Sequence, residues 1–229
     1  MHRHFEDELS ELRSELLYMA SLAEKAVVFS VDSLKNRDAA LAQKIIDDDA
    51  QINQLEVKID DLCVELIARI QPMASDLRFV TFAMRINSDL ERIGDHAVNI
   101  AQHTLELLKE PELKPLIDIP RMASLAQGMV KSALDAFVHG DVPQAIAVCK
   151  SDDEVDALED QVLRELITYM SNDPRTISRA IHLIMIAKNL ERVADLATNV
   201  AEEVVFMVEA RSIKHHLGKE DVHESGIKN

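Results

Sequence analysis

The segment Leu90-Glu91-Arg92-Ile93-Gly94-Asp95-His96-Ala97-Val98-Asn99-Ile100-Ala101 returns one hundred residues later, without a gap, as Leu190-Glu191-Arg192-Val193-Ala194-Asp195-Leu196-Ala197-Thr198-Asn199-Val200-Ala201. Apolar and polar positions are kept alike in the two copies, so the chain has to accommodate one unit twice. At about 100° per residue on a helix, Glu91, Asp95 and Asn99 fall within about 80° of one another and line a narrow stripe. Glu191, Asp195 and Asn199 do the same.

Such a stripe works against its own helix. Like charges at i and i+4 destabilise a helix by about 0.2–0.5 kcal/mol. A solvated acidic face accounts for one copy, and two copies in register with their helical frames favour a cation site. Hard cations, namely Mg²⁺, Ca²⁺, iron or manganese, turn the repulsion into coordination by carboxylate and amide oxygens. A second oxygen-bearing row precedes each signature: Asp49, Asn53 and Glu56 are answered 103 residues later by Asp152, Asp156 and Glu159 with the same spacing. The match stops at Asp60, whose counterpart is Leu163, so the first unit can hold a cation differently.

Helical periodicity runs through nearly the whole chain. Leu9, Leu12, Leu16, Met19, Ala23 and Val27 mark a first amphipathic helix from about residue 5 to 35, and Leu41 to Ile70 mark a second, for which Asp38 is a cap. Pro72 ends the second, and Ser75 is a candidate cap for a third carrying Phe79, Phe82, Ile86, Leu90, Ile93, Ala97 and Ile100 on its buried side. Pro111, Pro115 and Pro120 crowd the next interval, a linker over residues 111–120. A fourth helix ends at Gly140, a fifth runs from about Val142 to Met170, and Asp173-Pro174 opens a sixth that reaches about Arg211. Only 3% of the 229 residues are aromatic and only 5 are Gly, which suits an all-α chain. The expected architecture is two tandem three-helix bundles related by a pseudo-twofold, residues 1–110 and 121–211, with a flexible tail at 212–229.

Electrostatics and chemistry narrow the function. A formal net charge of −16 opposes binding to nucleic acid or anionic lipid and suits cations or basic protein surfaces, although solubility alone also accounts for it. Cys63 and Cys149 lie in apolar helical patterns without CxxC spacing and read as reduced core residues of a cytoplasmic protein. The first residues hold no apolar export core, and no run is long enough to insert in a membrane. Phosphate loop, dinucleotide fingerprint and nucleophile–base pair are all missing, and the one Glu-x-x-His spacing, Glu220 to His223, sits in the tail, so the chain reads as a non-enzyme.

The paired signatures, with Gln71-Pro72-Met73-Ala74-Ser75-Asp76-Leu77-Arg78 ahead of the first and Tyr169-Met170-Ser171-Asn172-Asp173-Pro174-Arg175 ahead of the second, resemble the PhoU family of phosphate-transport accessory proteins. The resemblance implies two three-helix repeats. It further implies a regulator that restrains phosphate uptake and the phosphate-starvation response, acting on the ATPase subunit of the phosphate importer and on a sensor histidine kinase, and a homodimer. It implies metal or polynuclear iron binding through (E/D)xxxD motifs, carried by Glu91, Asp95, Glu191 and Asp195, next by Asn99 and Asn199, and then by the rows on the preceding helices. Arg92 and Arg192 are expected as salt-bridge partners of these carboxylates or as contacts to another protein. A carboxylate-bundle metal store or oxidase is the alternative.

Overall fold

The computed structural model describes residues 2–72 and 75–209. Among these, the chain forms six long helices and no strand: α1 His2–Asn36, α2 Ala39–Ile70, α3 Ser75–Leu107, α4 Asp118–His139, α5 Val142–Asn172 and α6 Ile177–Glu209. A short 3-10 helix, Pro174–Thr176, leads into α6. The tail, the far end of the sixth helix, Met73-Ala74 and the position ahead of α3 lie outside the described residues.

Local chemistry sets the breaks. The Asp38 carboxylate accepts from the backbone N–H of Ala40 and Leu41, both at 3.0 Å, and Asp141 accepts from Gln144 N at 3.0 Å. These caps satisfy amide groups that the first helical turn leaves unpaired. Gly140 closes α4 in the left-handed conformation, φ 64°, where a glycine meets no steric penalty. Three boundaries differ from the sequence reading, one being α6, which starts at Ile177 behind the 3-10 turn rather than at Pro174. Helix α3 already includes Ser75, which makes that residue part of the helix rather than its cap. Helix α4 starts at Asp118, so Pro120 sits in its first turn, where a missing N–H costs no intrahelical bond.

Helices α1, α2 and α3 pack on one another, and α4, α5 and α6 repeat the arrangement. Across the seam, α3 packs on α6 and α1 on α4, so these four helices meet their own counterparts while α2 and α5 stay apart. The register on α3 and α6 is specific: Phe82 lies against Phe206, Arg85 against Glu203, His96 against Asn189 and His103 against His182. As one helix advances the other recedes, so the two run antiparallel. With the offset of one hundred residues, the pseudo-twofold passes between Ile93 and Val193, both fully buried. This is the geometry of a twofold interface, with the same patch on both sides.

One apolar cluster spans both repeats, from Leu12 and Met19 on α1 to Val204 and Val205 on α6. The segment joining the repeats is fastened to that body. Arg37 donates to Leu108 O and Glu110 O, Arg179 donates to Pro111 O at 3.0 Å, and the buried Lys114 ammonium pairs with Glu165. No helix among the described residues is long and apolar enough to cross a membrane.

Because Ile93 sits at the crossing, Ile93→Ala is expected to lower the unfolding free energy by about 2–5 kcal/mol, a lost side chain plus a cavity. The exposed neighbour change Arg92→Ala should stay within about 0.5 kcal/mol. Equal effects of the two in urea denaturation would show that the crossing is not a packed centre.

Candidate metal centre

Each repeat sets its two oxygen-bearing rows against each other across one helix pair. In the first repeat α2 carries Asp49, Asn53 and Glu56, and α3 carries Glu91, Asp95 and Asn99. The buried stripe of Leu90, Ile93, Ala97 and Ile100 seats α3 in the core and leaves the polar row at the edge of the α2 contact. Glycine at position 94 permits the approach: a Cβ there would stand 2.9 Å from Ile52 Cδ1 and 3.4 Å from Asp49 Oδ1. Ala194 holds the matching position in the second repeat.

The carboxylates sense one another. Glu91 is raised above the ordinary carboxylate range by partial burial and then by the charges of Asp95, Glu56 and Asp49. Asp49 is raised by burial and by Asp95, against a hydrogen bond from Asn53 Nδ2 at 2.9 Å. Burial, Asp60 and Asp95 raise Glu56. In the second repeat Asp152 on α5 is pushed up to about 6, by burial first and then by Asp156, Asp195 and Glu191. Burial and Asp195 lead the upward shift of both Asp156 and Glu191. Cation-free, each cluster is a set of anions held closer than they would choose.

Three of these oxygens are buried without a hydrogen-bond partner: Asp49 Oδ1, Asp152 Oδ1 and Glu191 Oε2. Glu191 Oε2 has Lys188 at 3.8 Å and Arg192 Nε at 3.6 Å, which leaves Asp49 Oδ1 and Asp152 Oδ1 as the open acceptors, one in each repeat. Buried polar atoms are almost always paired, so an open acceptor inside an oxygen-rich cleft fits a hard cation. Among the described residues no group of three or more His, Cys, Asp or Glu already converges as a metal site, so binding requires the carboxylates to swing inward. Asn99 and Asn199 are half-buried on the same helix faces, and Asn53 is exposed.

The two clusters differ in ways that the internal repeat conceals. Lys188 lies 3.7 Å from Glu159 Oε1 and 3.8 Å from Glu191 Oε2, and its counterpart is Ser88. Arg192 donates to Asp195 Oδ2 at 2.8 Å, whereas Arg92 turns to Asp89 at 3.5 Å. The expected arginine partnership therefore holds in the second repeat, while in the first the arginine faces a different carboxylate. In the first repeat the fully buried Asn87 takes a structural part: it donates to Glu56 O at 2.9 Å and to Asp60 Oδ1 at 3.0 Å, tying α3 to α2. Asn87 stands one turn before Glu91, a signal at i−4, but Ala187 replaces it in the other copy and pairwise comparison passes over it. Cys63 is buried and Cys149 half-buried, and burial pushes both thiols up to about 12, which leaves them protonated and poor as ligands.

Comparison with known proteins finds one unit in each repeat. The PhoU domain is matched twice, at residues 16–104 and 119–204. A phosphate-specific transport system accessory protein PhoU homolog of Pseudomonas aeruginosa is 42% identical over 214 residues, 93% of this chain and 88% of that protein. The homolog of the same name from Caulobacter vibrioides is 39% identical over 221 residues, 96% of each chain. Among solved structures, PhoU from Pseudomonas aeruginosa superposes with a TM-score of 0.88 at 42% identity, covering 90% of this chain and all (100%) of that one. The phosphate transport system regulatory protein PhoU from Streptococcus pneumoniae gives 0.85 at 32% identity, over 91% of this chain and 98% of the other.

The raised Asp152 carboxyl fixes the sign of a pH effect. Folded, it titrates at about 6, and its ordinary value is 3.8. Between those values the folded chain keeps a proton that the unfolded chain has released, so this group favours folding as pH falls through 6 and opposes it as pH rises. The cation-free protein should therefore gain stability from this site near about pH 5 relative to about pH 7.5. Asp152→Asn removes the titration, so the melting temperature should rise at the higher pH and depend less on pH. Parallel melting curves for the two proteins across that window would refute the assignment.

Proposed function

The chain belongs to the PhoU family, whose domain spans both repeats, and from that premise we propose that it regulates phosphate uptake and holds down the phosphate-starvation response as a metal-binding helical adaptor. The relatives named as accessory proteins of the phosphate-specific transport system support the process. The observation that carries the metal-binding part is the pair of opposed oxygen rows with an open buried acceptor in each repeat. Its work is non-enzymatic and cytoplasmic, and its partners are the ATPase subunit of the phosphate importer and a phosphate-sensing histidine kinase. A homodimer is the working assembly.

The residues suggest how cation binding and partner contact are joined. Glu91, Asp95 and Asn99 would hold an ion together with Asp49, Asn53 and Glu56, and Glu191, Asp195 and Asn199 would do so with Asp152, Asp156 and Glu159. Bound iron, manganese, magnesium or calcium supplies positive charge that relieves the crowding of these oxygens. Drawing the rows together fixes α2 on α3 and α5 on α6. These outer helices touch only helices of their own repeat, which leaves long faces open to a docking protein. The prevailing negative charge favours a basic surface on that partner.

Elemental analysis of protein purified without chelator should find hard cations, and Glu91→Ala combined with Glu191→Ala should remove most of them. Cells lacking the chain should express a phosphate-starvation reporter in rich phosphate, and the double variant should restore repression poorly. Normal repression without the chain would overturn the regulatory reading, and unchanged metal content in the double variant would overturn the assignment of ligands. Sustained oxygen consumption on adding ferrous iron would replace the adaptor with an oxidase.

A further inference from the structure

One helical turn beyond Asn99, the seam between the repeats holds a pair of imidazoles. His103 on α3 and His182 on α6 bring their Nδ1 atoms to 3.1 Å, with ring centroids 5.3 Å apart and planes inclined by 53°. We propose that these two histidines, with Glu106, bind a first-row transition ion such as Zn²⁺ and thereby clip the two repeats together.

The distances suit the ion. Two nitrogens bound to tetrahedral zinc at 2.0–2.1 Å stand about 3.3 Å from each other, so the rings need to open by only a few tenths of an ångström. Both rings are half-buried between helices, which limits their freedom. Glu106 lies one helical turn beyond His103, and its carboxyl is held below the ordinary range by Lys109 first and then, more weakly, by the two imidazoles. It now takes 2.7 and 2.6 Å contacts from Lys109, an exposed pair that exchanges readily. With no three such side chains yet converged, two nitrogens are placed in advance, Glu106 swings in as third ligand, and water completes the shell. The other nearby cation, Arg179, is engaged by Glu110 and Pro111 O. Burial and the second imidazole hold His103 below its ordinary pKa, so the ring is neutral and able to ligate at neutral pH.

Pseudo-symmetry supplies an independent reason. The positions of His182, Met185, His103 and Glu106 correspond to Phe82, Arg85, Glu203 and Phe206 at the other end of the same seam. That end carries a permanent clasp: Arg85 pairs with the buried Glu203 at 2.9 Å, and Phe82 meets Phe206 edge-on at 5.7 Å. At the histidine end an ion takes the same place. Imidazole nitrogens suit zinc and copper, whereas carboxylate and amide oxygens suit magnesium, calcium and manganese, so a preference for Zn²⁺ separates this pair from the oxygen rows.

The test uses the full chain with the acidic rows neutralised by Glu91→Gln, Asp95→Asn, Glu191→Gln and Asp195→Asn, titrated with Co²⁺ and then Zn²⁺. Should that variant fold poorly, the unsubstituted chain in excess Mg²⁺ serves instead. One Co²⁺ per chain with visible ligand-field bands, displaced by Zn²⁺, is expected, together with a higher melting temperature in Zn²⁺. His103→Gln and His182→Gln should each weaken Zn²⁺ binding at least about tenfold and abolish the thermal shift, and Glu106→Gln should weaken it less. Zn²⁺ affinity and Co²⁺ spectrum unchanged in both histidine variants would overturn the proposal, as would Co²⁺ binding without nitrogen-type bands.

Discussion

The antiparallel crossing of α3 and α6 is the constraint on which the remaining geometry rests. Each of these helices is enclosed on three sides, α3 by α1, α2 and α6 and α6 by α4, α5 and α3. Such a helix has to be apolar over most of its circumference and has one narrow sector left for polar side chains. The duplicated Glu-Asp-Asn row occupies that sector. Its glutamates, Glu91 and Glu191, are half-buried against the neighbouring helix, which is why their carboxyls are displaced upward by burial first and by the neighbouring carboxylates second.

Burial and mutual repulsion act in the same direction at these rows, and the chain counters them unequally. In the second repeat Lys188 and Arg192 bring positive charge close to Glu191, Glu159 and Asp195. In the first repeat Ser88 replaces the lysine and Arg92 faces Asp89, so relief comes from Asn53 and from protons. Among the described residues the first cluster therefore has no ammonium paired with its carboxylates, whereas in the second any added cation would compete with one already present. Two clusters that share their residue types thus differ in electrostatic setting.

Much of this was legible in the residues. The one-hundred-residue repeat with its helical spacing sufficed for six helices and for the pairing of rows within each repeat, and Asp38 was legible as a cap. The features that were not legible are those in which the copies differ. Asn87, Lys188 and the His103–His182 contact have Ala187, Ser88, Glu203 and Phe82 as counterparts, so a comparison of one repeat with the other discards them. Register between α3 and α6 was hidden as well, because it depends on how two apolar stripes mesh in three dimensions and not on either stripe alone. The segment between the repeats read as a linker from its prolines, yet Arg37, Arg179 and Lys114 bind it down through backbone oxygens and a buried charge that no local pattern announces.

The like-against-like seam is what two separate copies of a single repeat would build. Identical subunits, however, are obliged to present the same side chain at both ends of their axis. Covalent fusion lifts that obligation, so that a seam once bound to be symmetric can carry arginine with glutamate at one end and two histidines at the other. Joining two genes end to end would in this way have given each half of the molecule freedom to specialise while the crossing that holds them stayed intact.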